Sequence, residues 1–314
     1  MIASGTRALV TGGAGFIGAH LVRALLDAGC SVVVLDNFLK RPLAQLDLPH
    51  ATAVTVIEGD LRDRDSTIAA VASAEADLVV HLAAHHFIPF CVANPAEALR
   101  LNVLGTQHLV DGVMATRQCR RFILASTADV YAPSERPHTE SDRLAAENVY
   151  GASKRLSEEL VAFSARQSPT IKFLVARFFN VYGPGETNPH LIPDILDALA
   201  IGAPLRLGNL EPRRDYVYVG DVIEALLRLG RYDGASPVFN VGTGRGSSAR
   251  EVVRELERVL ERPITIDVDP SKVRHVDRPS LVADPSLARN ELGFVATTSL
   301  HTGLRRMLAE AKIV

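Results

Sequence analysis

The feature that most constrains this chain is a glycine-rich turn between an apolar, strand-like run and an amphipathic helical pattern. Gly12, Gly15 and Gly18 are spaced three residues apart and directly follow the run Arg7–Val10. Glycine permits a tight turn, and the backbone N–H groups can approach a pyrophosphate whose charge the start of the following helix stabilises. This succession of strand, turn and helix predicts a dinucleotide-binding domain.

The first half of the chain alternates short apolar runs with helical patterns. This rhythm predicts βαβ units, in which a parallel sheet is covered by helices on both faces. The predicted strands are Arg7–Val10, Ser31–Leu35, Ala53–Glu58, Asp77–His81, Arg121–Ala125 and Ile171–Ala176. The predicted helices in this half are Phe16–Ala28, Pro95–Thr116 and Asn148–Arg166.

The rhythm changes after Ala176, where loops rich in Gly and Pro separate irregular strand and helix signals. We therefore predict an α/β protein with two domains. Residues 1–176 form a Rossmann-type, doubly wound parallel sheet that binds NAD, and residues 216–243 return to it. Residues 177–314 form a smaller C-terminal α/β substrate-binding domain.

Composition argues against several classes of protein. The chain has 34 Lys and Arg against 36 Asp and Glu, so it lacks the basic excess typical of proteins that bind nucleic acids or anionic membranes. Its apolar stretches are far shorter than the ~20 residues of a membrane helix, and no signal-peptide pattern opens it. Cys30, Cys91 and Cys119 lie far apart, which favours free thiols in a reducing compartment. We expect a cytoplasmic protein with no nucleic-acid or membrane partner.

An acidic residue ends the second predicted strand. Asp36 can accept hydrogen bonds from an adenosine ribose and would repel a 2′-phosphate, so the predicted cofactor is NAD rather than NADP. Lys40 and Arg41 lie close by and keep NADP open as an alternative.

A tyrosine and a lysine lie four residues apart in a predicted helix. Tyr150 and Lys154 therefore share one helix face and can act on one ligand. A free tyrosine titrates near pH ~10. A neighbouring ammonium and the positive nicotinamide of NAD⁺ are expected to lower the pKa of Tyr150 towards that of a general base. Ser126 and Thr127 follow a predicted strand, at the edge where open α/β sheets bind ligands.

These segments together resemble the extended short-chain dehydrogenase/reductase family, in its branch of NAD-dependent nucleotide-sugar epimerases and dehydratases. The resemblance covers nearly the whole chain. Further matching segments are His81–Ala84, Asn102–Thr106, Arg177–Pro184, Gly208–Asp215 and Asn240–Gly244. The last two are most similar to GDP-mannose dehydratases and related reductases, while UDP- and dTDP-linked sugars stay open.

The resemblance implies a role for each matching residue. Thr127 would polarise a sugar hydroxyl, Tyr150 would remove its proton, and Lys154 would hold the nicotinamide ribose and tune Tyr150. Implied contacts to the cofactor come from Gly12, Gly15, Phe16, Ile17, Asp36, Asn37, Asp60, Leu61, Leu82, Ala83, Ala84, Asn102, Tyr150, Lys154 and Phe178. Implied contacts to a nucleoside-diphosphate sugar come from His86, Thr127, Asn180, Leu191, Arg214 and Arg274. The helices around 95–116 and 148–166 are implied to form a homodimer interface.

Enzymes of this branch begin by moving a hydride from a sugar carbon, usually C4, to NAD⁺, which gives a 4-keto sugar and NADH. A 4-epimerase then returns the hydride to the opposite face, whereas a 4,6-dehydratase needs a further acid–base group. The Asp-Glu pair of dTDP-glucose dehydratases is replaced here by Ala128-Asp129. Asp129 is thus a candidate for proton transfer or, equally, a structural hydrogen-bonding residue.

We therefore favour an NAD-dependent nucleoside-diphosphate-sugar 4-epimerase. A 4,6-dehydratase is the first alternative, followed by a decarboxylase or 4-reductase, and an NAD-binding scaffold or sensor is the non-enzyme alternative. His81, His85 and His86 show no recognised spacing of metal ligands, so no metal is expected.

Overall fold

The computed structural model describes residues 2–39, 41–42, 53–116, 118–186, 188–273 and 278–313. The chain divides into two compact units. The first comprises Met1–Ala132, Arg143–Arg177 and Ile223–Phe239. The second comprises Pro133–Asp142, Phe178–Val222 and Asn240–Val314.

Strands and helices alternate along most of the described chain. The strands are β1 (Arg7–Thr11), β2 (Ser31–Asp36), β3 (Val54–Glu58), β4 (Leu78–His81), β5 (Arg121–Thr127), β6 (Lys172–Phe178), β7 (Asn180–Tyr182), β8 (Leu205–Leu207), β9 (Arg213–Tyr218), β10 (Val238–Val241), β11 (Gly246–Ser248), β12 (Ile266–Val268) and β13 (Ser280–Leu281). The helices are α1 (Phe16–Asp27), α2 (Arg64–Ala74), α3 (Ile88–Ala93), α4 (Pro95–Leu99), α5 (Thr106–Thr116), α6 (Val149–Gln167), α7 (Leu191–Ala200), α8 (Val219–Leu229), α9 (Ala249–Leu260), α10 (Ser286–Leu292) and α11 (Leu300–Glu310). A π-helical turn spans Arg100–Gly105, and 3-10 turns span Ala128–Val130 and Pro270–Lys272.

A seven-stranded sheet forms the framework of the first unit, in the order β10-β6-β5-β4-β1-β2-β3. From β3 to β5 the neighbouring strands pair in parallel, and Val10 lies opposite Val34 on one side and Val80 on the other. All residues of β4 and most of those in β1 and β2 are buried, as a sheet covered on both faces requires. The prediction of a Rossmann-type, doubly wound α/β fold is confirmed.

The strand order reverses its direction between β1 and β4. In open α/β sheets, ligands bind in the crevice outside the carboxyl ends of the strands at such a switch point. On one face of this sheet the apolar side chains form a continuous core. Its buried members are Leu9, Val33, Leu35, Leu61, Ala70, Val71, Ala74, Ala76, Val79, Leu101, Leu109, Val110, Val113, Cys119, Phe122, Leu124, Val161, Ile171, Phe173 and Val175.

The region 95–116 departs from the single helix that the sequence predicted. It is helical throughout, but the π-helical turn interrupts it at Asn102. The carbonyl oxygen of Asn102 accepts hydrogen bonds from the hydroxyls of Thr106 at 2.6 Å and Ser157 at 2.7 Å. Hydroxyls that bond to the backbone in this way compete with the regular hydrogen-bond ladder and locally widen it.

The second unit contains small sheets packed with helices. β9 pairs antiparallel with β11 and parallel with β7 and β13, while β8 pairs in parallel with β12. α9 begins with a capping box, in which the hydroxyl of Ser248 accepts from the Glu251 N–H and the Glu251 carboxylate accepts from the Ser248 N–H. α9 packs against α11 around a separate apolar core. Among the described helices, none is both long enough and apolar enough to span a bilayer.

Candidate active site

The glycine turn lies at the carboxyl end of β1, against the segment that follows β4. Gly12 has φ +69°, and a Cβ there would stand 2.7 Å from the backbone nitrogen of Ala83. The predicted cofactor segments at Gly12 and at Leu82–Ala84 are therefore in contact. Phe16 opens α1 with Gly15 at its cap, and no described side chain bonds to this helix start. Its free N–H groups suit the pyrophosphate of a dinucleotide.

The predicted ribose and adenine residues lie together beyond β2 and β3. The Asp36 carboxylate accepts hydrogen bonds from the N–H groups of Ala14 at 2.9 Å and Phe38 at 2.8 Å, which joins it to the glycine turn. The Asn37 amide donates to the Asp60 carboxylate at 3.3 Å. Hydrogen bonds from Arg62 lower the pKa of Asp60 to about 2 and keep it ionised.

Leu61 and Ile17, two further residues predicted to contact the cofactor, offer no charged side chain. Leu61 is buried in the apolar core, and its carbonyl oxygen accepts from the His108 ring at 2.8 Å. Ile17 is half-buried in the first turn of α1. Each can therefore present backbone or an apolar surface, but no charged group, to a ligand.

Thr127, Asp129 and Tyr150 form one cluster at the carboxyl end of β5. The hydroxyl oxygen of Thr127 accepts from the Asp129 N–H at 3.2 Å and lies 3.4 Å from its carboxylate. Tyr150, in the first turn of α6, lies near enough to the Thr127 side chain for Thr127 to influence its pKa. Lys154 follows one turn later on the same face and is 2% exposed. The structure thus brings together all four predicted catalytic residues.

Asn148 joins this cluster to the start of α6 and was not among the predicted site residues. Its side-chain oxygen accepts from the Gly151 N–H at 2.8 Å, and its side-chain nitrogen donates to Asp129 at 3.3 Å. A Cβ on Gly151 would stand 2.4 Å from the Asp129 carbonyl oxygen, so this position requires glycine. The sequence could have indicated this role, because Asn is a preferred N-cap residue and Asn148 stands at the start of a predicted helix.

The pKa values of Tyr150 and Lys154 are both shifted by burial. Burial and the Asp129 carboxylate raise the pKa of Tyr150, while its hydrogen bond with Thr127 acts in the opposite direction. The prediction that its neighbours lower this pKa is therefore wrong for the protein's own groups. Burial lowers the pKa of Lys154 to about 8, and the Glu158 carboxylate opposes this change.

His81 lies beneath this cluster as a buried structural residue. Its ring nitrogens lie 2.7 Å from the Thr11 hydroxyl and 2.9 Å from the Thr106 hydroxyl. Burial and the nearby Lys154 ammonium hold the pKa of His81 well below its ordinary value of 6.5. Both ring nitrogens thus have hydroxyl partners, and the ring stays neutral at physiological pH.

We expect His81 to make the fold sensitive to acid. The unfolded chain takes up a proton on His81 below about pH 6.5, whereas the folded chain does not, so stability is lost as the pH falls below that value. Because the unfolded histidine is already half protonated at pH 6.5, one such group lowers the free energy of unfolding by about 1 kcal/mol between pH 6.5 and 5.5. Urea unfolding at pH 6.5 and 5.5 should therefore show a larger fall in the free energy of unfolding for wild type than for His81→Gln. The control His301→Gln changes an exposed histidine and should show the same pH dependence of the free energy of unfolding as wild type. The same pH dependence in all three proteins would contradict the prediction.

Asn102 is completely buried and holds the loop after β4. Its side-chain oxygen accepts from the His85 N–H at 2.8 Å, and its side-chain nitrogen donates to the His85 carbonyl and to the Ser153 hydroxyl, both at 2.9 Å. Ser153 in turn donates to the carbonyl of Tyr150 at 2.7 Å. Asn102 therefore links this loop to α6, while His86, the next residue of the loop, is exposed.

The remaining predicted ligand residues lie at the end of β6 or in the second unit. Phe178 is buried and Asn180 is exposed, whereas Leu191 is half-buried and packs against the second apolar core. The Arg214 guanidinium donates to the backbone carbonyls of Arg213 and Arg278, both at 2.9 Å. The predicted substrate residue Arg274, like Lys40, lies outside the described residues.

The fold and this cluster define a class of enzyme. A glycine turn at the switch point of a Rossmann sheet, with a Thr at a strand end and a Tyr-x-x-x-Lys helix beside it, is the arrangement of a short-chain dehydrogenase/reductase. The sequence of residues 8–242 matches the family described as the NAD dependent epimerase/dehydratase family, and the chain belongs to that family. NAD is therefore confirmed as the family's cofactor.

Several similar proteins are named as UDP-sugar 4-epimerases or were solved with a UDP-sugar. The chain is 31% identical to the bifunctional UDP-glucose 4-epimerase and UDP-xylose 4-epimerase 1 of Pisum sativum, with 94% of this chain and 93% of the relative covered. UDP-glucose 4-epimerase of Thermotoga maritima, solved with UDP-glucose, has 28% identity and a TM-score of 0.90, with 98% of each chain covered. MoeE5 in complex with UDP-glucuronic acid and NAD has 32% identity and a TM-score of 0.87, with 98% of this chain and 99% of that chain covered.

Proposed function

We propose that this protein is an NAD-dependent UDP-sugar 4-epimerase. The observation that carries the proposal is that Thr127 and Tyr150 lie together at the end of β5, with the buried Lys154 one helical turn further along α6. The relatives described above carry UDP-sugar names, so UDP is the nucleotide we propose, rather than the GDP suggested by the similarity of residues 208–215 and 240–244.

The first unit has the features that an NAD cofactor requires. Gly12 and Gly18 leave space where a Cβ would collide with backbone, and α1 offers uncapped N–H groups for the pyrophosphate. Asp36 would bind the adenosine ribose and Lys154 the nicotinamide ribose. When bound, NAD supplies the acceptor and donor of the hydride at C4.

The protein's own residues would handle the sugar hydroxyl. Thr127 would donate or accept a hydrogen bond at the C4 oxygen and so fix its position beside Tyr150. Tyr150 would then take the hydroxyl proton and return it once the 4-keto sugar has turned its other face. Among the protein's own groups it is the Thr127 side chain that acts to lower the pKa of Tyr150 and so would favour the tyrosinate form.

The position of Asp129 supports epimerisation over dehydration. Its carboxylate lies near Thr127 and accepts from Asn148, and its backbone N–H also bonds to Thr127. We infer that Asp129 orders the end of β5 and the start of α6, which is a structural task that every turnover needs. A dehydratase would in addition use this group to move protons at C5 and C6.

Incubation with UDP-, GDP-, dTDP-, ADP- and CDP-linked sugars, followed by mass spectrometry and NMR, tests the proposed function. We expect a UDP-sugar isomer of unchanged mass that differs at C4. A product that has lost one water would replace the epimerase by a 4,6-dehydratase and give Asp129 a proton-transfer role.

UDP-glucuronic acid is a second candidate substrate within the same reaction class. MoeE5, which has 32% identity to this chain, was solved with UDP-glucuronic acid and, separately, with UDP-glucose. Comparison of kcat/KM for UDP-glucose, UDP-xylose and UDP-glucuronic acid in the same panel decides which sugar is preferred.

We further propose a homodimer formed through α5 and α6. Leu156 and Phe163 lie seven residues apart on α6 and are 44% and 52% exposed, with Leu160 between them on the same face. Leu104, just before α5, is 52% exposed. Apolar side chains in such a row are typical of an interface. We also propose a cytoplasmic location, which the three separate, buried thiols support.

Phe163→Asp should weaken this dimer. Truncation of an aromatic residue at the centre of an interface costs about 2 kcal/mol or more, so we expect the dimer dissociation constant to rise about 30-fold or more. Light scattering during size-exclusion chromatography over a dilution series measures the change. Val268→Asp changes an equally exposed side chain in the second unit and should leave the mass unchanged. A dimer unaffected by Phe163→Asp would place the interface elsewhere.

A further inference from the structure

A buried polar cluster lies behind the candidate catalytic residues. The Arg177 guanidinium forms a two-pronged ion pair with Glu158, with N···O distances of 2.6 and 3.0 Å. Arg177 also donates to the Tyr131 hydroxyl at 2.9 Å and lies over its ring at 4.9 Å from the centroid. The Ser126 hydroxyl donates to Glu158 Oε1, which also accepts from Arg177 Nε. The side chains of Glu158 and Arg177 are only 8% and 4% exposed.

Each member of this cluster adjoins an element of the candidate site. Ser126 directly precedes Thr127 at the end of β5, and Arg177 lies at the end of β6. Tyr131 directly follows the turn that contains Asp129. Glu158 lies four residues after Lys154 and eight after Tyr150, so all three share one face of α6. The cluster therefore joins α6 to the two strand ends beside it.

Glu158 also balances the positive charge that is buried in this region. Lys154 and Arg177 are both buried cations, and Glu158 opposes the charge of each. Among the described residues, His81, which is neutral, also lies near Lys154, and Tyr150 precedes it by one turn on the same helix. A buried carboxylate with three donors is held in one geometry, because the loss of any partner leaves a charge or polar group unsatisfied.

We propose that Glu158 is a positioning residue of the active site, which acts with Arg177 to set α6 against the end of β5. The pair fixes Tyr150 and Lys154 relative to Thr127 and provides the negative charge that Lys154 faces. This inference rests on the proposed function for its turnover readout, but its effect on NAD binding is independent of the sugar substrate.

The double variant E158M/R177M tests the proposal, because replacement of both partners by apolar residues of similar length often preserves the fold. Displacement of reacting groups by about 1 Å can cost about 100-fold in rate. We therefore expect kcat to fall about 100-fold at a nearly unchanged KM for the UDP-sugar. Calorimetry should show NAD affinity about tenfold weaker, because Lys154 is displaced. The control R155Q/E159Q removes an exposed ion pair with an N···O distance of 3.1 Å on the same helix, and should match wild type.

The single variant E158Q decides the matter if E158M/R177M does not fold. Glutamine keeps the size and the acceptor oxygen of Glu158 but loses its charge. Lys154 should then lose its proton at a lower pH, so the pH above which NAD binding weakens should also fall. A folded E158M/R177M with wild-type kcat and NAD affinity would overturn the proposal, as would E158Q with an unchanged pH limit. If wild type converts no sugar nucleotide, the proposed function fails, and the NAD affinities of the variants still decide the role of Glu158.

Discussion

Tyr150→Phe should reduce sugar-nucleotide turnover by about 10³-fold, within the range that general acid–base groups contribute. The substitution removes only the hydroxyl, which lies near Thr127 and would take the proton from the substrate. The ring remains in the first turn of α6, and Lys154 keeps its buried position. NAD affinity should therefore stay within about twofold of wild type.

Steady-state kinetics with the preferred UDP-sugar and calorimetric titration with NAD measure the two parts of this result. Tyr232→Phe provides a matched control, because it removes a buried hydroxyl that accepts from the Ser236 N–H at 3.0 Å, away from the site. Wild-type turnover in the Tyr150→Phe protein would exclude the proposed mechanism. Unchanged biological activity without turnover would favour an NAD-binding scaffold.

Gly18→Ala should abolish measurable NAD binding, with an affinity at least about 100-fold weaker. Alanine in a helix is normally favourable by about 1 kcal/mol relative to glycine. At Gly18, however, a Cβ would stand 2.1 Å from the Gly12 carbonyl oxygen and 2.7 Å from the Gly13 Cα. These atoms belong to the backbone of the glycine turn, so the turn must move to accept the methyl group. Overpacking of this kind also costs about 1–3 kcal/mol of stability.

Calorimetry with NAD and urea unfolding of the protein alone separate the two effects of Gly18→Ala. Gly220→Ala, near the start of α8, is the control, because a Cβ there first meets the Tyr218 ring, a side chain, at 3.2 Å. It should bind NAD as wild type does. A Gly18→Ala protein that binds NAD normally would show that the turn tolerates displacement and does not cradle the cofactor.

The sequence predicted the strands of the central sheet because each combines a short apolar run with a clear break. The predicted and observed ends of β1 to β6 differ by no more than two residues. α2 was not predicted, since its sequence RDSTIAAVASA lacks a strong apolar stripe. Its position depends on packing against α5, which no local pattern reveals.

The candidate site was predictable where local spacing carries the chemistry and unpredictable where distant segments meet. Tyr150 and Lys154 follow from helical spacing, whereas the Glu158–Arg177 pair joins residues 19 positions apart on different elements. The bonds of Asn102 to His85 and Ser153 likewise depend on tertiary packing. The raised pKa of Tyr150 was not predicted because burial and Asp129, both products of the fold, outweigh the opposing effect of the Thr127 side chain.

The start of α6 at Val149 has a consequence for how the enzyme would fail on heating. Tyr150 is the second residue of this helix, and helix ends fray before the rest of a protein unfolds. The Asn148 cap, bonded at 2.8 Å to the Gly151 N–H, is the side-chain contact that resists this fraying. Catalytic competence would then be lost in a local opening of one helical turn, at a temperature below the global melting transition, and would return on cooling.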